Sequence, residues 1–122
     1  MQLDFQKERF MHIDELIDAI VPHLPFHSVE AAQAFLSTLA PDDQIALISA
    51  LYFGRSHLGS DCVNEDFLPY LRSGQMNRLW EQDSIVPADF ATILYEKGSN
   101  LASYYDAFLR ATNGSGYDRA AY

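Results

Sequence analysis

Cysteine is almost missing from this chain: Cys62 stands alone among 122 residues. No disulfide can form within the chain, and no cysteine-based zinc site can be completed. A lone thiol suits a reducing compartment, so a cytoplasmic location is expected. Long apolar runs are missing too. The longest, Ile45 to Phe53, contains Ser49 and falls far short of the ~20 residues a membrane helix needs. Bases are scarce, with 8 Lys and Arg against 17 Asp and Glu and a formal net charge of −9. That balance argues against a direct nucleic-acid binder, whose affinity comes from cations neutralising phosphates. It argues equally against a surface drawn to anionic lipid. Asp4, Lys7, Glu8 and Arg9 would interrupt any secretory signal core. Residues 1–10 read as a leader or extension, or else as a first turn packing Leu3, Phe5 and Phe10 onto the body.

Apolar residues make up 48% of the chain, enough for one domain to bury a core. Their spacing is helical almost throughout. Ile13, Leu16, Ile17, Ile20 and Val21 form one stripe, which Pro22 and Pro25 end. Ser28 is placed to cap a second helix carrying Val29, Ala32, Leu36 and Leu39. Pro41 opens a third, with Asp42 and Asp43 in its first turn where the helix dipole favours acids. This is the most apolar segment and is expected to be central. Gly54 near its end is either a C-cap or a point where another backbone comes close. Asn64 reads as the cap of a fourth helix in which Pro69 lies too deep for comfort. Met76, Leu79 and Trp80 suggest a further turn. Pro87 starts a helix through Phe90, Leu94 and Tyr95, and Ser99 or Asn100 caps a last one with Leu101, Tyr105, Phe108 and Leu109. No strand pattern, repeat or low-complexity segment interrupts the series. The expectation is an all-α fold, a compact bundle of five or six short helices over residues 11–112. Asn113-Gly114-Ser115-Gly116 should end order and leave 113–122 a flexible tail.

No catalytic or cofactor signature is present. His23 and His27 have the one-turn spacing of paired metal ligands, but Pro25 between them breaks the helix that the spacing requires. No phosphate loop, nucleophile elbow or HExxH sequence occurs. The paired acids sit in first turns or on polar faces, and Asp14 and Asp18 should both be exposed. Cys62 reads as a small buried side chain. The least generic segment is Tyr52-Phe53-Gly54-Arg55. Arg55 is read first as a structural clamp, pairing with an acid or with helix-terminal carbonyls, and second as an anion-binding guanidinium. In the second reading His57 and a tyrosine would join it in a ligand site.

Two surface features point toward partners. Tyrosine is plentiful, with seven residues, and Tyr104 and Tyr105 are adjacent, so one helix stripe cannot bury both. Tyr70, Trp80, Tyr95 and Tyr104 are therefore candidate contact residues, since aromatics and arginine dominate interface hot spots. Residues 1–83 hold 13 of the 17 acids but 5 of the 8 bases. An acidic face that includes Asp14, Asp18, Asp42 and Asp43 would steer a basic partner.

From Leu39 to Arg110 the order of features resembles a family of uncharacterised bacterial helical domains of unknown function. The shared elements are Ala50-Leu51-Tyr52-Phe53-Gly54-Arg55 at a helix end, a variable middle, and a helix pair with Ile93-Leu94-Tyr95 before a turn and Leu101-Ala102-Ser103-Tyr104-Tyr105 after it. The sequence departs from that pattern in the loop after Arg55 and around Gly98-Ser99. The resemblance implies a bacterial source and a compact helical fold, and it supplies no activity or site. The functional expectation is a small acidic non-catalytic interaction module, of neutralising (immunity-type) or adaptor character. It would bind another protein, a basic one among the candidates, or a second copy of itself. The alternative is an anion or small-ligand binding protein or enzyme built around Arg55 and His57.

Overall fold

A computed structural model describes residues 11–122, and the leader expected over residues 1–10 lies outside the described residues. Among the described residues there are six α-helices and no strand, which gives the expected all-α class. Helix α1, Ile13–Ile20, buries Ile13, Leu16, Ile17 and Ile20 on one stripe. Its N-cap is His12, whose Nδ1 accepts the Asp14 amide at 3.0 Å. Glu15 accepts the His12 amide in return at 3.2 Å. Helix α2, Val29–Leu36, starts where Ser28 Oγ accepts the Ala31 amide at 3.0 Å, as the sequence suggests.

Helix α3, Pro41–Arg55, is the axis of the fold, with Ile45 to Leu51 buried without interruption. Such a helix has no polar stripe to give to solvent, so other elements must cover it all round. Helix α6, Asn100–Gly114, crosses it most closely, α1 packs on another side, and α2 pairs with α5, Phe90–Lys97. Gly54 makes the α3–α6 crossing possible. A Cβ there would collide with the backbone carbonyl of Tyr104, so of the two roles open to Gly54 it takes the close approach rather than the cap. Tyr105 beside it is the buried member of the tyrosine pair, its hydroxyl donating to the Leu47 carbonyl at 3.1 Å. A second close approach occurs at Gly114, against the Asp61 carbonyl.

Between Asn64 and Lys97 the chain is less regular. A tight turn at Glu65–Phe67 precedes α4, Leu68–Ser73. Pro69 falls in its first turn, where no amide donor is required, so the proline fits. Asn64 is not the expected side-chain cap. Its Nδ2 instead donates back to the Ser56 carbonyl at 3.3 Å.

The C-terminal segment corrects the expectation of a flexible tail over 113–122. Helix α6 continues to Gly114, and Arg119–Ala121 forms a further turn. Tyr122 is 6% exposed, with its ring 5.1 Å from that of Phe108 and its hydroxyl donating to the Ala46 carbonyl at 2.9 Å. Arg119 holds the segment in place, donating to Asp14 at 2.6 and 3.1 Å and to Thr112 Oγ1 at 3.0 Å. The Gly- and Ser-rich run makes the turn that allows the return, and burial of the Tyr122 ring drives it.

Arg78 joins distant parts of the chain. Its guanidinium donates to Asp43 Oδ1 at 2.8 Å, to the Met11 carbonyl at 2.7 Å and to the Tyr122 carbonyl at 3.4 Å. Asp43 also accepts the Met11 amide at 3.1 Å. Ser49 on α3 donates to the Arg78 carbonyl at 2.9 Å and accepts the Glu81 amide at 3.2 Å. The irregular segment is thereby pinned to the central helix.

Two stability outcomes follow from these contacts. Gly54→Ala should lower stability by about 1–3 kcal/mol, because the colliding group is backbone and the helices must separate. Gly59→Ala, with nothing within 4 Å of the added carbon, should stay within about 0.5 kcal/mol of the parent. Urea unfolding of the two variants side by side tests the crossing. Asp43→Ala removes a buried carboxylate that holds both the Arg78 guanidinium and the Met11 amide and should lower stability by at least ~1 kcal/mol in the same assay.

Candidate functional site

The residues singled out in the sequence divide into those used by the fold and those left at the surface. Asp43 is 3% exposed and ion-paired to Arg78, so it cannot form part of an accessible acidic face. Asp14 is not freely exposed as expected, because the Arg119 guanidinium grips its carboxylate. The hydrogen bonds from Arg119 hold the Asp14 carboxyl below its ordinary range, against a smaller opposing effect of burial. Asp18 is exposed and Asp42 half-buried, and both remain available to a partner. Cys62 is exposed, contrary to the expectation of a buried thiol.

His57 belongs to the interior. It is 1% exposed, its Nδ1 lies 2.6 Å from the Phe53 carbonyl, and its Nε2 accepts the Asn64 amide at 3.0 Å. A carbonyl on one side and an amide donor on the other fix the tautomer with hydrogen on Nδ1. Both ring nitrogens are occupied, and the ring packs edge-on against Phe67 at 4.9 Å. His57 thus closes the loop after α3 and does not join Arg55 in a ligand site. His23 lies against Phe26 and Phe35, with ring centroids 6.2 and 5.1 Å away. No group of three or more His, Cys, Asp or Glu among the described residues is placed to hold a metal ion.

Arg55 behaves differently from the clamp first expected. It is exposed at the end of α3 and, among the described residues, has no ion-pair or hydrogen-bond partner. It lines a cleft of about 300 Å³ together with Tyr52, Phe67, Trp80 and Glu81. Glu81 is half-buried, and desolvation raises its carboxyl above the ordinary range. The Tyr52 hydroxyl is also pushed up, first by burial and then by the Glu81 charge, with Arg55 acting the other way. The Lys97 ammonium sits over the Tyr52 ring, 5.4 Å from its centroid.

Trp80 separates this cleft from a second, wider one of about 450 Å³ lined by Tyr70, Gln75, Asn77, Leu79, Trp80, Gln82 and Asp83. Its indole is half-buried, packed on Phe53 at 5.1 Å and edge-on to Tyr70 at 5.2 Å. Tyr70 is 43% exposed. Tyr95 and Tyr104 line neither cleft, Tyr95 standing exposed on α5 and Tyr104 half-buried where α6 crosses Gly54. The structure therefore brings Tyr70, Trp80 and Arg55 to one face and leaves the other two tyrosines off it. Nothing in the local sequence marks Glu81, which lies in an irregular stretch without periodicity; its proximity to Trp80 is the one available signal.

No family model matches the chain, and no curated protein or solved structure matches it either.

The Asp14–Arg119 pair makes the acid limb of stability testable. A depressed carboxyl contributes stability above its unfolded value, roughly pH 4, and loses it as pH falls through the lower folded value. Asp14 is 44% exposed, so the contribution is discounted to about 1 kcal/mol or less. Asp14→Asn should flatten the stability curve between roughly pH 5 and pH 2, as read from urea midpoints across that range.

Proposed function

We propose that this chain is a non-catalytic protein-binding module whose contact face is the surface around Trp80 and Tyr70. The observation that supports this most is the placement of a half-buried indole between two open clefts, flanked by an exposed tyrosine and an arginine without an internal partner. Tryptophan, tyrosine and arginine are the side chains that carry most binding energy at protein interfaces. The wider cleft is lined by amides, a phenol and one carboxylate, groups suited to hydrogen bonding with a polypeptide.

A basic partner is favoured by the formal charge of −9 and by Asp83 in the wider cleft. With Asp14 and Asp43 engaged internally, Asp18 and Asp42 remain to steer approach. Neutralisation of a basic toxin or nuclease, or adaptor binding, is the class of role this chemistry suits. The proposed setting is the bacterial cytoplasm, in keeping with a single unpaired cysteine. No helix among the described residues is long and apolar enough to cross a membrane.

The test is capture of partners from the source organism's lysate by the tagged chain at low and high salt, followed by affinity measurement with the purified partner. The expected result is a basic polypeptide retained at low salt and released at high salt. Tyr70→Ala should weaken it by at least ~30-fold, the effect of a ~2 kcal/mol hot spot. Tyr95→Ala, off the face, should bind like the parent. Equal affinity of Tyr70→Ala and the parent would remove this face from the interaction.

A further inference from the structure

The narrower cleft beside Trp80 carries two opposite charges that do not pair with each other or, among the described residues, with any other group: Arg55 and Glu81. Surface charges usually stay in water or find a partner. Glu81 is half-buried, and its carboxylate, without a hydrogen bond among the described residues, keeps only its contact with solvent. A partly desolvated carboxylate gains from a cation placed against it. Arg55 offers the complementary half, a planar fork of donors suited to a carboxylate. Both charged residues line this one cleft with Tyr52, which places them within reach of one small ligand. The remaining walls are aromatic, from Phe67 and Trp80. The volume of about 300 Å³ is at the lower end of ligand pockets, which run from ~300 to 1,000 Å³.

We infer that this cleft binds a small zwitterion of the amino-acid type, with its carboxylate on Arg55, its ammonium on Glu81 and its side chain against Trp80 and Phe67. A simple anion would leave Glu81 without a partner and repelled, and a simple cation would leave Arg55 in the same position. The aromatic walls add apolar contact and a cation–π surface for the ammonium. This inference goes beyond the protein-binding reading: the cleft shares Arg55 and Trp80 with the proposed contact face, but its ligand is a free small molecule held by a single chain.

The chain has one tryptophan, Trp80, which lines the cleft, so its fluorescence reports directly on occupancy. The experiment titrates the full chain with each L-amino acid separately, then repeats the titration with the N-acetyl and methyl-ester forms of any that bind. The expected result is a saturable change for at least one amino acid with Kd of about 1 mM or tighter, and about tenfold or greater weakening when either charge is masked. Arg55→Ala and Glu81→Gln should each weaken binding by a similar factor, with circular dichroism confirming the fold. Arg72→Ala, an exposed cation outside the cleft, should not. The inference is overturned if no amino acid gives a saturable signal. It is equally overturned if the N-acetyl form binds as well as the parent, which marks a plain anion site, or if the ester does, which marks a plain cation site.

Discussion

The grip of Arg78 on Asp43, Met11 and Tyr122 is the contact on which the rest of the structure depends. Helix packing alone accounts for α3, α6 and the elements that cover them, since an all-round apolar helix must be covered. It does not account for the long irregular stretch between α4 and α5, which has few periodic apolar positions to bury. One guanidinium and the hydroxyl of Ser49 tie that stretch to the central helix through directional bonds. The same guanidinium holds the chain entry into α1 and the returning C-terminal segment. A nearly buried charge pair of this kind adds little net free energy over a well-packed apolar equivalent. Its value here lies in geometry, because it sets where Trp80 and Glu81 emerge.

That placement makes a structural device the support of the proposed binding face. Trp80 is two residues from Arg78 and packs on Phe53 of α3, so its indole is positioned by the core and half open to solvent. The end of α3 places Arg55 beside it, and the α4 turn brings up Phe67 and Tyr70. Side chains held on a rigid helix end and a pinned loop are pre-organised, which reduces the entropy lost on binding.

Part of the chain's acidic character is engaged in ion pairs within the chain. Asp14 and Asp43 are engaged in holding the fold together, and Asp106 pairs with Arg110 at 2.7 Å along α6. Acids that read as a patch in sequence are thus divided between internal pairs and solvent. His57 illustrates the same point for a candidate ligand: in sequence it sits two residues from Arg55, yet in space its ring turns inward and closes a loop.

Local chemistry in the sequence settled the helices themselves. The apolar period of α1, the Ser28 cap and Pro41 at the start of α3 are each legible because helix formation depends on residues within one or two turns, whereas local sequence leaves Gly54 open between a cap and a close approach. The sequence also marked Tyr70, Trp80 and Arg55 as unusual, without bringing them together. Only the tertiary structure decided that Tyr122 folds back onto Phe108, that Asp43 lies inside against Arg78, and that Glu81 shares a cleft with Arg55. These contacts join residues 14 or more positions apart. No local pattern encodes them, because the burial and pairing that stabilise them exist only once the helices have packed.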